Sequence, residues 1–138
     1  MQEKPFSDQE VQQALDGPAT VVLATINPDG SPLATPMWYV HDADGIGMVS
    51  VDGLQKIRNL ARDPRVSVVV ETHATGGLQC VIVQGTVAFL DSAADRETLG
   101  AAFVEKYGES IEKRWGGAVV PEDRALFRIH PSRVKLWG

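Results

Sequence analysis

Gly53-Leu54-Gln55-Lys56-Ile57-Arg58-Asn59-Leu60-Ala61-Arg62-Asp63-Pro64-Arg65 holds four of the 13 basic residues against one acid. It therefore carries +3 in a chain of net charge −5 and leaves −8 for the rest. A confined cationic island in an acidic chain is what an anionic ligand needs, because the general field of the protein repels anions. The segment sits between two strand-like runs, Ile46 to Val51 and Val66 to Glu71. Its basic side chains and helix-start amides are thus expected at one end of a sheet, where backbone N–H groups add to the attraction for phosphate. The competing reading is a solvated helix face with i,i+4 spacing. Leu54, Ile57 and Ala61 at i, i+3, i+7 predict one buried helical face, and Pro64 ends the helix.

Outward from this segment the pattern is mostly β. Thr20 to Ile26 is β-branched and apolar, and Asn27-Pro28-Asp29-Gly30 reads as a turn, so the next strand, Pro32 to His41, runs back antiparallel. That strand carries large residues on both faces, and Pro36 places it at an edge or a bulge that breaks pairing just before Met37, Trp38 and Tyr39. Ile46 to Val51 is a third strand. Val66 to Glu71 and Leu78 to Leu90 are two more, separated by the loop His73 to Gly77, and Gly85 suggests a bulge that curves the sheet. The last strand is Ala125 to Trp137.

Ser7 with Glu10 reads as a capping box opening a short, lid-like helix with Val11, Ala14 and Leu15 on its apolar stripe. Ser92 with Asp95 opens a helix carrying Leu99, Ala102, Phe103 and Tyr107, closed by Gly108. A further helical stretch reaches Trp115. Six mostly antiparallel strands with a few peripheral helices read as a small barrel.

Length favours one domain over residues 1–138. No apolar run reaches the roughly 18 residues a membrane helix needs. The N-terminus lacks the apolar core of a signal peptide, and the lone Cys80, in an apolar run, reads as a packed thiol, so a cytoplasmic location is expected. A pI near 5.1 argues against nucleic acid as a partner. His41, His73 and His130 lie far apart and outside metal-ligand spacings, so no metal is expected. Nucleophile-elbow, Walker A and dinucleotide-binding motifs are missing as well, and no catalytic side chain can be named. If the chain is an enzyme, a bound cofactor carries the chemistry.

The order of segments resembles the FMN-binding split barrel superfamily. The resemblance rests on Ala24-Thr25-Ile26, the Asn27-to-Pro32 turn, Thr35-Pro36-Met37-Trp38-Tyr39, Lys56 through Ser67, and Gly85. Within the superfamily it is most similar to the pyridoxamine 5'-phosphate oxidase-like branch that uses the deazaflavin coenzyme F420, in which K-x-R-N-L-x-R-D-P-R recurs. The resemblance implies a homodimer of six-stranded antiparallel split β-barrels with flavin sites in the dimer groove. It also implies that Lys56 holds the cofactor phosphate, that Val49, Ser50 and Val51 lie along the ring, that Thr35, Pro36 and Met37 flank its other edge, and that Gln79 matches a glutamine of FMN-binding relatives. Members of the family it resembles commonly carry an Arg one or two positions before the lysine, where this chain has Leu54 and Gln55. Gln55 and Arg58 then stand as the neighbours of Lys56 at the phosphate, and a compact FMN phosphate loses more of its grip than a ligand with a long anionic tail. F420 is accordingly the first cofactor expected and FMN the alternative, with hydride transfer to a small unsaturated substrate. A non-catalytic flavin- or tetrapyrrole-binding carrier on the same barrel is the other class.

Overall fold

Elements form where the side chains allow few alternatives. In the computed structural model, which describes residues 1–73 and 76–138, the β-branched run becomes strand β2 (Thr20–Ile26). It alternates buried Val21, Leu23 and Thr25 with outward Thr20 and Val22. It follows the two-residue β1 (Gln2–Glu3) and helix α1 (Gln9–Asp16). Then come β3 (Pro32–Trp38), β4 (Val40–His41), β5 (Ile46–Val51), α2 (Gln55–Arg62), β6 (Arg65–Thr72), β7 (Gln79–Phe89), α3 (Ala93–Tyr107), α4 (Glu109–Trp115) and β8 (Arg124–Trp137). Six long strands and the two short ones make one antiparallel sheet in the order β3-β2-β6-β7-β8-β5-β4, with β1 beside β8. This is the expected mostly β, split-barrel architecture with peripheral helices. The loop expected over His73 to Gly77 lies partly outside the described residues, at Ala74 and Thr75.

The curl is set at Gly85. The β7–β8 register shifts between Gln84 and Gly85, and a Cβ on Gly85 would lie 2.3 Å from the carbonyl oxygen of His130. Only a residue without a side chain lets the two backbones approach there.

Two apolar clusters result. One fills the barrel with Leu23, Tyr39, Ile46, Met48, Val68 and Val83. The other, around Leu99, Phe103 and Ile111, packs α3 and α4 over Trp38, Val40 and Val49.

Several expectations change at this level. Asp8, not Ser7, caps α1, accepting from Glu10 N–H at 2.9 Å, because the helix starts one residue later than a Ser7 cap requires. Nor is α1 a lid: Val11 and Leu15 are 0% exposed and belong to the barrel core. The buried face of α2 is Ile57 and Leu60 with Asn59, while Leu54 and Ala61 are exposed, since the helix begins after Leu54 and its phase follows Ile57. Pro36 does lie on an edge strand, yet pairing with β2 continues through it, Val22 opposite Pro36 and Thr20 opposite Trp38. A proline whose nitrogen faces away from the only neighbouring strand removes no ladder bond. The chain breaks instead at Tyr39. Cys80 is half-buried and lies outside the core strip of β7, which runs through Val81 and Val83. Burial, with the Glu71 charge, pushes its thiol up and leaves it a poor nucleophile.

Candidate functional site

The sheet is left open between its two end strands. β3 pairs only with β2, and β5 is covered on its β4 side only at Ile46 and Gly47. Beyond that, the backbone edges of Pro36–Trp38 and Met48–Val51 have no strand partner among the described residues, and such an edge offers N–H and C=O groups to a ligand. A cavity of about 370 Å³ occupies this slot.

Six of the ten residues singled out from the sequence line it: Pro36, Met37, Val49, Ser50, Val51 and Lys56. The other four do not. Thr35 lies beside it on the strand face shared with Met37, and its hydroxyl is buried without a hydrogen-bond partner. Gln55 and Arg58 are turned into α2: Arg58 donates to the Gly53 carbonyl at 2.9 Å and to Gln55 Oε1, and Gln55 Nε2 donates to Asn59 Oδ1 at 2.8 Å. Gln79 stands opposite Thr72 at the start of β7 and is not among the lining residues.

Lys56 reaches the slot with a thioether as its neighbour: Nζ lies 3.1 Å from Met37 Sδ, with no oxygen acceptor among the described residues. Burial pulls its pKa below the ordinary lysine value, the sign expected for an ammonium that has lost water without gaining a counter-charge. In the same helix Asn59, 0% exposed, donates from Nδ2 to Thr25 Oγ1 at 3.1 Å and to Asn27 Oδ1 at 2.9 Å. Asn59 thus serves the structure, tying α2 to β2 and its turn. Arg62 donates to the Ile26 carbonyl, and Arg65 pairs with Asp63 at 2.7 Å. Of the four basic residues in the segment, only Lys56 faces the slot.

Sequence reasoning missed the far wall. Arg114 and Trp115 from α4, Phe103 from α3 and Arg124 from the start of β8 also line the cavity. Arg114 lies with its guanidinium carbon 4.8 Å from the Trp38 ring centroid, and Trp38 stacks on Tyr107 at 4.5 Å and 10°. Arg124 pairs with Asp123 at 2.5 Å. The one available signal was the placement of Arg114-Trp115 just before Gly116-Gly117, and it is not specific. Three cations and no carboxylate line the slot among the described residues, in a chain with 18 acids against 13 Lys and Arg.

The profile of the pyridoxamine 5'-phosphate oxidase family matches residues 7–138. The chain belongs to this family. Among solved structures, it is similar to a conserved hypothetical protein from Mycobacterium tuberculosis, with 28% identity and a TM-score of 0.78 over 94% of this chain and 83% of that one. A FAD-binding protein from Mesorhizobium loti matches with 28% identity and a TM-score of 0.72 over 92% and 89%. An F420 reductase matches with 25% identity and a TM-score of 0.66 over 90% and 94%. A search of curated proteins gives no match. As a member of the pyridoxamine 5'-phosphate oxidase family, the chain presents at the slot Lys56 with no counter-ion among the described residues. It fits a ligand that brings anionic oxygens.

Proposed function

We propose that this chain is an oxidoreductase whose slot binds a flavin-type cofactor, coenzyme F420 first and FMN as the alternative, and passes a hydride to a small unsaturated substrate. The observation that carries this is the carboxylate-free slot with Lys56 at its wall and two strand edges beside it. Likeness to an F420 reductase and a FAD-binding protein supports the class of cofactor. Lys56 would hold the cofactor's anionic group, exchanging a thioether contact for charge-assisted hydrogen bonds. The backbone of Pro36–Met37 and of Val49–Val51 would meet the ring. Arg58, tied to Gly53 and Gln55, is not free to help a compact FMN phosphate, whereas a longer anionic tail can reach beyond Lys56. Bound there, a deazaflavin supplies hydride transfer without oxygen chemistry. The chain's own part is to bind, orient and exclude water.

The same reading takes residues 1–138 as one domain, in the cytoplasm, paired as a homodimer. No described helix is long and apolar enough to cross a membrane. Val22 and Val69, opposite one another on neighbouring strands, are 42% and 38% exposed on the outer sheet face, next to exposed Ala34 and Pro36. A second copy laid there would cover them beside the slot. Side-by-side fluorescence titrations with F420 and FMN test the cofactor. Micromolar or tighter FMN binding without F420 binding reverses the choice, and binding of neither removes the oxidoreductase reading in favour of a carrier.

A further inference from the structure

Lys56 and Arg114 rest on consecutive residues of one edge strand, Met37 and Trp38. Consecutive side chains of a strand point to opposite faces. Met37 is 5% exposed within the barrel cluster, whereas Trp38 belongs to the cluster under α3 and α4. The two cations therefore approach β3 from opposite faces and stand at different walls of one cavity. Arg114 has no carboxylate within ion-pair distance among the described residues. Among the described residues its partner is the indole face of Trp38, a weaker one than a carboxylate or phosphate taken bidentately by a guanidinium. Beside it, Trp115, Phe103 and Ile111 make an apolar and aromatic wall of the same cavity.

We propose that Arg114 anchors the anionic group of the substrate, so that the compound reduced in this slot is an unsaturated carboxylate or phosphate whose apolar body lies against Trp38 and Trp115. This rests on the reading of the slot as a cofactor site. The probes are cinnamate and its neutral isostere cinnamamide, titrated by calorimetry into cofactor-loaded protein and, by tryptophan quenching, into cofactor-free protein. Wild type is expected to bind cinnamate at least tenfold more tightly than cinnamamide. Arg114→Met, at an exposed position, is expected to bind the two within twofold while its cofactor affinity stays within twofold of wild type, and Arg114→Lys is expected to fall between. Equal binding of the probes to wild type overturns the proposal, as does a cinnamate preference that survives Arg114→Met. Cofactor affinity that falls in Arg114→Met as far as in Lys56→Ala also overturns it, by making Arg114 a cofactor ligand. If wild type binds no flavin-type cofactor yet cofactor-free protein shows the Arg114-dependent preference, the oxidoreductase reading fails and the anion site stands.

Discussion

Replacing Asn59 by Leu is the most demanding test of how α2 is held. Its side chain is fully used: both amide hydrogens are donated, to Thr25 Oγ1 and Asn27 Oδ1, and Oδ1 accepts from Gln55 Nε2 at 2.8 Å and from Arg62 Nη1 at a marginal 3.4 Å. Asn59 is 0% exposed and Thr25 1%. Leucine keeps the branching and heavy-atom count of asparagine but none of its polar atoms, so the loss is counted in hydrogen bonds, and crowding by the bulkier methyls adds to it. Three good bonds at about 1 kcal/mol each, plus about 1 kcal/mol for a Thr25 hydroxyl left without its partner, give about 3–4 kcal/mol. For a chain of this length that corresponds to a fall in melting temperature of roughly 10–15 °C.

Equilibrium urea unfolding followed by far-ultraviolet circular dichroism measures it, with an unchanged slope certifying that the denatured state is the same. Asn59→Asp keeps the acceptor for Gln55 but forfeits both donors and buries a carboxylate, so it is expected to cost at least as much as the leucine. A loss below about 1 kcal/mol for Asn59→Leu would refute the idea that this amide, more than Ile57 and Leu60, fixes the helix carrying Lys56.

Lys56→Ala should weaken cofactor binding by about 1.5–3 kcal/mol, the scale of a charge-assisted hydrogen bond, while Arg62→Ala, whose guanidinium serves Ile26, should change it far less; equal titration curves for wild type and Lys56→Ala remove Lys56 from the site. Gly85→Ala should cost more than about 2 kcal/mol in urea unfolding, because the new methyl meets backbone at His130 and not a side chain that can turn away; a near-neutral result contradicts the bulge geometry. Burial pushes the Lys106 amine down to about 8 against the opposing pull of Asp16. The unfolded chain therefore holds that proton more tightly, and the destabilisation is present below about pH 8 and is relieved as pH rises toward the ordinary 10.5. The stability of wild type relative to Lys106→Met should rise over that window, and a flat difference counts against it. Light scattering at micromolar concentration should give twice 14.9 kDa for wild type and 14.9 kDa for Val69→Glu; a wild-type monomer excludes the paired sheet face.

Strand order and the Gly85 bulge were legible because β-branched runs, turn residues and a lone glycine act locally. The inner wall of the slot, Pro36, Met37, Val49 to Val51 and Lys56, was legible only through the family resemblance, since the spacing of Leu54, Ile57 and Ala61 misassigned the buried face of α2. The rest depends on contacts between distant segments. Whether Arg58 points at a ligand or at its own helix start is decided by the Gly53 carbonyl and Gln55, and basic spacing alone cannot separate the two. Arg114 and Trp115 were invisible because α4 reaches the slot only through the packing of Phe103 and Ile111. The Ser7 cap failed by one residue, since Ser and Asp at adjacent positions are both good caps and only the helix start chooses between them.

The slot itself has a cause outside the basic segment. Where the chain turns from β3 into β4 it has no further strand neighbour among the described residues, and one residue there is satisfied by side chains instead. That residue is Tyr39. Its N–H donates to the Tyr107 hydroxyl at 2.9 Å, and its carbonyl accepts from Lys106 Nζ at 2.8 Å. Its own hydroxyl, on a side chain that is 0% exposed, shares its one hydrogen between the carbonyls of Leu15 in α1, at 2.5 Å, and Pro18 just after it, at 2.9 Å. Side chains of α3 thus replace the ladder bonds of a missing strand neighbour, at a site where unpaired backbone groups would each carry a desolvation penalty. The same Tyr107 stacks on Trp38, so the residue that satisfies the Tyr39 backbone also fixes one aromatic wall of the opening. The last turn of α3 and the edge of β3 therefore act as one unit, and the chemistry proposed for the slot depends on residues that satisfy the backbone where β3 ends.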